Sequence, residues 1–284
     1  MTRPQPHPTA AASATAVAAD IPKREILGVP VAMTDYQGAV EALDAMVDSR
    51  ERGYVCAVSV HSLTSALDDP EMRAVFRGAT LVLPDGMPVV WAANLLGAGL
   101  EGRVYGPQLM LRYSERCAER GHRVWLYGGR DQGSLAQLAL NLRRRLPGIN
   151  IVGGYSPPFR AMTDEEEDAL VDQINDARPD VLWVGIGAPK QERWMARMRD
   201  RLEVPVMCAV GAAFDFHAGL KKQAPVWMQH SGLEWLFRLG SEPRRLGKRY
   251  LVNNPAFISL ALQEIWRARF GNRVGVAAQP EHVG

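Results

Sequence analysis

Cysteine is scarce in this 284-residue chain: Cys56, Cys117 and Cys208 are its only three, widely spaced and never in a C-x-x-C pair. That pattern argues against a disulfide framework or a cysteine zinc site and suits a reducing cytoplasm. Net charge is nearly absent too, at +2 with histidine neutral. The whole molecule therefore does not advertise nucleic-acid binding. No stretch reaches the roughly 18 to 20 apolar residues of a membrane span. The opening MTRPQPHPTAAASATAVAAD also lacks the continuous apolar core of a signal peptide. Its Pro, Ala, Ser and Thr content reads as a disordered leader over 1–22. No Asp-x-Asp pair occurs, so the carboxylates on which many nucleotide-sugar enzymes hold a cation are missing, and no metal site is expected.

What remains is ordinary globular material, 47% hydrophobic and 23% charged, enough for a large core. Residues 24–35 read as a short strand pair turning at Gly28. Ala39, Val40, Leu43, Met46 and Val47 share one helical face. Apolar runs at 53–60, 80–84, 123–129, 149–155, 180–187 and 204–216 read as strands. Helical patterns lie between them, at 62–76, 87–97, around Leu135, Leu138, Leu142 and Leu146, after Thr163 as N-cap, and from Lys190. Alternation of this kind predicts an α/β fold, a Rossmann-like, mostly parallel sheet with helices on both faces. We place this core at 23–217. A C-terminal helical appendage at 218–273, rich in Trp and Arg, and a disordered tail at 274–284 follow.

Parallel sheets bind ligands beyond the carboxyl ends of their strands, so chemistry is sought there. Those junctions carry Ser59 and His61, then Asp85, then Gly128, Gly129 and Arg130, then Gly187, Lys190, Gln191 and Glu192, then Gly211 and Asp215. All are expected to face one crevice. Asp85, in LVLPDGMPVVW, is either a general base or the N-cap of the helix from Met87. YGGRDQGS is either a phosphate-accepting turn or an ordinary βα turn. It lacks the Gly-Lys-Ser/Thr ending of a P-loop, and no G-x-G-x-x-G follows the first strand. Gln191 and Glu192, in GIGAPKQERW, either meet a sugar or uracil edge or cap their helix. His61 and His217 are ligands or packed residues, and the run DEEED (164–168) is a solvated helix start. Arg238, Arg244, Arg245, Lys248 and Arg249 stand against Glu242 alone, interleaved with Trp227, Trp235, Phe237, Tyr250 and Trp266. Such a pattern suits an anionic membrane surface or a diphosphate, or it is a solvated basic helix face.

Taken in order, the blocks PDGMPVVW, GRVYGPQLM, VWLYGGRDQGSLAQLALNLRRRLPGINIVG, PDVLWVGIGAPKQERW, VGAAFDFHAG and QAPVWMQHSGLEWLFRLGSEPRRLGKRY resemble the WecB/TagA/CpsF bacterial glycosyltransferases, glycosyltransferase family 26. The resemblance runs from about Ile26 to about Tyr250. It implies an inverting, metal-independent hexosyltransferase without a cofactor. Such an enzyme moves a sugar (N-acetylmannosamine-type, uronate or hexose) from a UDP-sugar onto a polyprenyl-diphosphate-linked sugar in cell-surface polysaccharide synthesis. It would work in the cytoplasm, peripherally bound to the inner face of the cell membrane. A homo-oligomer is compatible with this arrangement.

Carried onto this chain, the resemblance makes Asp85 the base, Arg103 a pocket residue and Gln191 a donor neighbour. Arg238 and Arg245 neutralise diphosphate. A Thr-x-Asn pair of the family falls on Ser59, which keeps the hydroxyl and is a catalytic candidate beside Asp85, and on His61, which does not keep the amide and is a substrate-binding candidate. Gln223 stands where the family carries arginine. Two alternatives stand beside this reading: a nucleotide-dependent oxidoreductase or epimerase on a Rossmann core, and a non-catalytic lipid- or nucleotide-sensing module.

Overall fold

A computed structural model describes residues 20–241 and 243–270; side chains at 230, 245, 246, 248–253, 256 and 267–270 are outside the description. Most of the leader and all of the tail inferred from the sequence fall beyond these residues.

The chain opens with an antiparallel hairpin, β1 (Lys23–Ile26) and β2 (Val29–Ala32), turned by Leu27 and Gly28 at positive φ. Helix α1 (Tyr36–Ser49) follows, capped by Asp35, whose carboxylate accepts the Gly38 N–H at 2.9 Å. Then come β3 (Gly53–Val58), α2 (Val60–Ser65), α3 (Pro70–Gly78), β4 (Leu81–Pro84) and α4 (Met87–Leu95). The second half of the sheet brings α5 (Gly106–Arg120), β5 (Arg123–Gly128), α6 (Gln132–Arg145), β6 (Asn150–Tyr155), α7 (Asp164–Ala177), β7 (Val181–Gly185), α8 (Lys190–Met198) and β8 (Val206–Ala209). Short α9 (Ala213–His217) closes it. Helices α10 (Val226–His230), α11 (Glu234–Ser241) and α12 (Pro243–Phe270) form the appendage.

The six strands β3 to β8 form one all-parallel sheet in the order β4-β3-β8-β7-β5-β6. Its strands are apolar on both sides because helices cover both faces. Alternate residues feed two separate cores. Trp125 and Tyr127 of β5 pack with α3, α4, α7 and α8, while Val124 and Leu126 pack with α1, α5 and α6. The expected fold class is therefore observed.

Two expected elements are corrected. The helix read over 62–76 is two helices, because Asp69 caps α3 and Pro70 occupies its first turn; proline also pushes the residue before it out of the helical region. The strand read through Phe216 ends at Ala209. Gly211 takes φ +50 and α9 begins at Ala213, so the last apolar stretch is a helix packed on Gly185. The predicted hairpin at Gly28 and the Thr163 cap, whose Oγ accepts the Glu166 N–H at 3.3 Å, stand as read.

Candidate active site

Register places the first pair of candidates. Val58 and Pro84 are partners across β3 and β4, so the residues that follow, Ser59 and Asp85, emerge side by side. The Asp85 N–H donates to the Val58 carbonyl at 3.0 Å, extending the ladder one step past the strands. The chain beyond α4 then returns along β4, where the Val104 N–H donates to the Pro84 carbonyl at 2.9 Å. That return sets Arg103 and Tyr105 on either side of the strand end and starts α5 directly over the carboxylate.

Asp85 does not cap α4. The cap is Gly86, without a side-chain bond. Instead, Asp85 Oδ1 accepts the Gly106 N–H at the start of α5, at 3.4 Å, and Oδ2 has no protein donor among the described residues. Burial raises its carboxyl to about 6, with Arg103 pulling down, Glu234 pushing up, and Gly106 and Arg238 pulling down. A carboxylate left ionised at neutral pH, half-buried and lacking a second partner suits proton abstraction better than scaffolding.

The cavity around it has about 110 Å³ of open space. Ser59 and His61 form one wall, and Arg103 and Tyr105 a second. Glu234, Trp235, Arg238 and Asn254, all from the appendage, form the roof. Ser59 stands at the cap of α2, 3.4 Å from Ser62 Oγ. His61 Nδ1 lies 3.4 Å from Ser65 Oγ. The Arg103 guanidinium lies over the Tyr105 ring, 4.2 Å from its centroid, donates to the Asp85 carbonyl at 3.3 Å, and ion-pairs with Glu234.

The appendage is seated by packing at several points. Gly232, at φ +74, lies against Trp91; an added Cβ would meet that ring at 2.7 Å. Phe257 and Ala261 of α12 are buried in the core that includes α2, Ile265 is also buried, and Glu264 accepts the Leu27 N–H at 3.0 Å. Arg238 reaches the cavity; the Arg245 side chain lies outside the described residues.

The expected single crevice is corrected. The glycine junctions lie at β5 and β7, and β5 is four places from β4 in the sheet, about 19 Å at the usual strand spacing. There the structure forms a second, wider cleft of about 570 Å³, lined by Gly129, Lys190, Arg197, Trp194 and the loop 157–162. Gly128, at φ +136, touches β7: a Cβ on it would lie 2.5 Å from the Gly185 carbonyl. Close strand packing thus accounts for that glycine without any ligand.

Gln191 is buried. Its Oε1 accepts the Gly187 N–H at 3.2 Å and its Nε2 donates to Glu192 Oε1 at 3.0 Å. Neither residue caps α8, whose N-cap is Pro189. Burial pushes the Glu192 carboxyl up, and its Oε2 has no hydrogen-bond partner among the described residues. Gln191 lies against Gly211, at the carboxyl end of β8 between the two clefts. Among the described residues no three His, Cys, Asp or Glu side chains gather as a metal site. The His217 Nε2–H donates to the Pro107 carbonyl at 2.9 Å, and the ring belongs to packing.

Sequence reasoning passed over Tyr105 and Glu234. The only local signal for Glu234 was a carboxylate set among apolar residues in GLEWLF, since its partners lie 129 and 131 residues away.

The chain is similar to known proteins. The model of the glycosyl transferase WecG/TagA/CpsF family matches residues 24–271. A Bacillus spizizenii protein named N-acetylglucosaminyldiphosphoundecaprenol N-acetyl-beta-D-mannosaminyltransferase is 29% identical over 217 residues, covering 76% of this chain and 81% of the relative.

Proposed function

The chain belongs to the WecG/TagA/CpsF glycosyltransferase family, and on that premise we propose that it moves a sugar from a UDP-sugar to a polyprenyl-diphosphate-linked sugar, with inversion and without a metal. The relative's name specifies an N-acetylglucosaminyl-diphosphate lipid as acceptor and N-acetylmannosamine as the transferred sugar. An N-acetylmannosamine-type sugar, a uronate or a hexose is the donor class for this chain. His61 and Gln223 are the positions at which its choice can differ.

The observation that carries the proposal is the enclosed Asp85 carboxylate flanked by Arg103 and Arg238. Asp85 takes the proton of the acceptor hydroxyl as the oxygen attacks the anomeric carbon. The bond to the diphosphate breaks on the opposite face, giving UDP and an inverted glycoside. Negative charge growing on the leaving group needs fixed positive partners. Arg238 and Arg245 of the appendage supply them, together with Lys190. In this reading the donor lies along the carboxyl edge, its nucleotide toward Gly128, Gly129, Gly187 and Gln191 and its sugar toward Asp85. The roof of α11 and α12 keeps water from the activated sugar.

A membrane surface is the natural location of the lipid acceptor. No helix among the described residues is long and apolar enough to cross a membrane. Val226, Trp227, Leu236, Ile258, Leu262 and Trp266 are nonetheless exposed on the appendage, beside its arginines. This face suits peripheral binding to anionic lipid. Flotation with anionic vesicles, lost at high salt, is the expected result.

The decisive test offers purified protein a panel of UDP-sugars with a short-chain polyprenyl-diphosphate N-acetylglucosamine. One donor should give a glycosylated lipid and UDP in equal amounts, with EDTA present. Absence of product with every donor sinks the reading, and loss of turnover on chelation sinks its metal-free part.

A further inference from the structure

Helix α11 has one buried residue among those described, and it is a charged one, Glu234. Trp235 and Leu236 are 37% and 47% exposed, and Phe237 and Leu239 are half-buried. The one fully buried contact that ties this helix to the core is therefore ionic. Both oxygens of Glu234 are engaged: Oε2 pairs with the Arg103 guanidinium, and Oε1 accepts the Tyr105 hydroxyl at 3.1 Å. The pair is nearly closed to solvent, with 13% and 10% of the two side chains exposed. Burying an ion pair is a poor way to gain stability, since apolar residues of the same volume usually do as well. The pair is better explained by what it holds in place.

We propose that Glu234 is a positioning residue for transfer, latching the appendage onto Arg103 and Tyr105 and holding the Arg103 guanidinium away from the Asp85 carboxyl. The proposal rests on Asp85 as the base. Arg103 contacts Asp85 only through the backbone carbonyl, at 3.3 Å. One face of the guanidinium lies on the Tyr105 ring and one edge is taken by Glu234. Remove the Glu234 charge, and the Asp85 carboxylate becomes the nearest counter-ion. A direct pair would then occupy the oxygen that must receive the acceptor proton and make it a weaker base.

Among the described residues six ionisable groups face or act on Asp85: His61 from α2, Tyr36 from α1, Arg103 and Tyr105 from the returning chain, and Glu234 and Arg238 from α11. Of these, Glu234 is the carboxylate that opposes its ionisation. The appendage therefore brings both a repelling carboxylate and, in Arg238, an attracting guanidinium. A core with the roof displaced would lose both.

The test is Glu234→Gln in the full chain. The amide keeps the size and one acceptor while removing the charge. Transfer should slow about tenfold at neutral pH, and the acid limb of kcat/KM should move about one unit to lower pH. Carbon-13 NMR of Asp85 should show the same displacement, and amide exchange over 226–241 should quicken. If the limb and the Asp85 titration both coincide with wild type, the latch does not set the base and the proposal is overturned, whatever the rate does. Should the Gln variant not fold, Glu234→Asp keeps the charge but withdraws it from Arg103. A smaller shift of the same sign supports the latch, and no shift overturns it. The titration and exchange need no donor, so they decide the latch even if wild type transfers no sugar.

Discussion

At the β4 end of the carboxyl edge, a half-buried carboxylate lies under the appendage in about 110 Å³ of space. At the β5 and β7 end, Gly129 and the cations Lys190 and Arg197 border a cleft about five times larger, 570 Å³. The two ends share a sheet edge but not an environment. Proton abstraction needs a base whose strength is raised by burial, hence the roof. Binding a nucleotide that must enter and leave needs backbone approach and positive charge, and tolerates solvent. This difference predicts that damage at one end affects rate and damage at the other affects binding.

Asp85→Asn should therefore produce the largest change, a loss of about a thousandfold or more in kcat. UDP binding, measured by calorimetry, should stay within about twofold of wild type, since the proposed nucleotide site lies at the other end. Residual turnover near the wild-type rate would remove Asp85 from the chemistry. The wild-type rate itself should rise with pH through about 6, because the base works only when ionised.

Next is Gly128→Ala, which attacks the open end through its framework. The new methyl would lie 2.5 Å from the Gly185 carbonyl at a backbone φ of +136. Strands β5 and β7 must then separate, costing about 3 kcal/mol, and thermal unfolding should fall by about 10 °C. An unchanged melting temperature would show that the turn is held by something other than that close approach.

These two residues also show how far the sequence could be read. Alternating apolar runs and helical faces disclosed the parallel sheet, because both faces of each strand are buried and the pattern is local. The same logic put Ser59, Asp85, Gly128 and Gly187 at strand ends. It could not order the strands, since nothing near Gly128 says that β5 lies four places from β4. The single crevice failed for that reason. Glu234 was missed because its meaning depends on Arg103 and Tyr105, brought to it only by tertiary packing. The α9 error was local: VGAAFDF reads equally well as a buried strand or a buried helix, and Gly211 decided it.

A smaller effect sharpens the contrast from the stability side. Burial raises the Asp85 carboxyl from the ordinary range near 4 to about 6. Below that range both folded and unfolded chains hold the proton, and the site costs nothing. Between about 4 and 6 the unfolded chain releases its proton first, so stability falls as pH rises. Above 6 the cost is constant. Asparagine keeps an acceptor for the Gly106 N–H and carries no charge. Asp85→Asn should thus be more stable than wild type by about 2 kcal/mol at neutral pH, with the gain vanishing below pH 4. Equal stability at pH 7 would mean that Arg103 and Arg238 already offset the burial.

Smallest of all is Lys190→Ala. Lys190 is an exposed cation at the start of α8, lining the open cleft. Exposed charges contribute about 1 kcal/mol or less, and salt screens them. UDP should bind this variant about fivefold more weakly at low ionic strength, and the difference should shrink in high salt. The slow step after donor saturation, set under the roof, should not change. If Lys190→Ala instead left UDP affinity intact while Asp85→Asn weakened it, the division of labour would be reversed. The nucleotide would then lie beneath the appendage, and the open cleft would need another occupant.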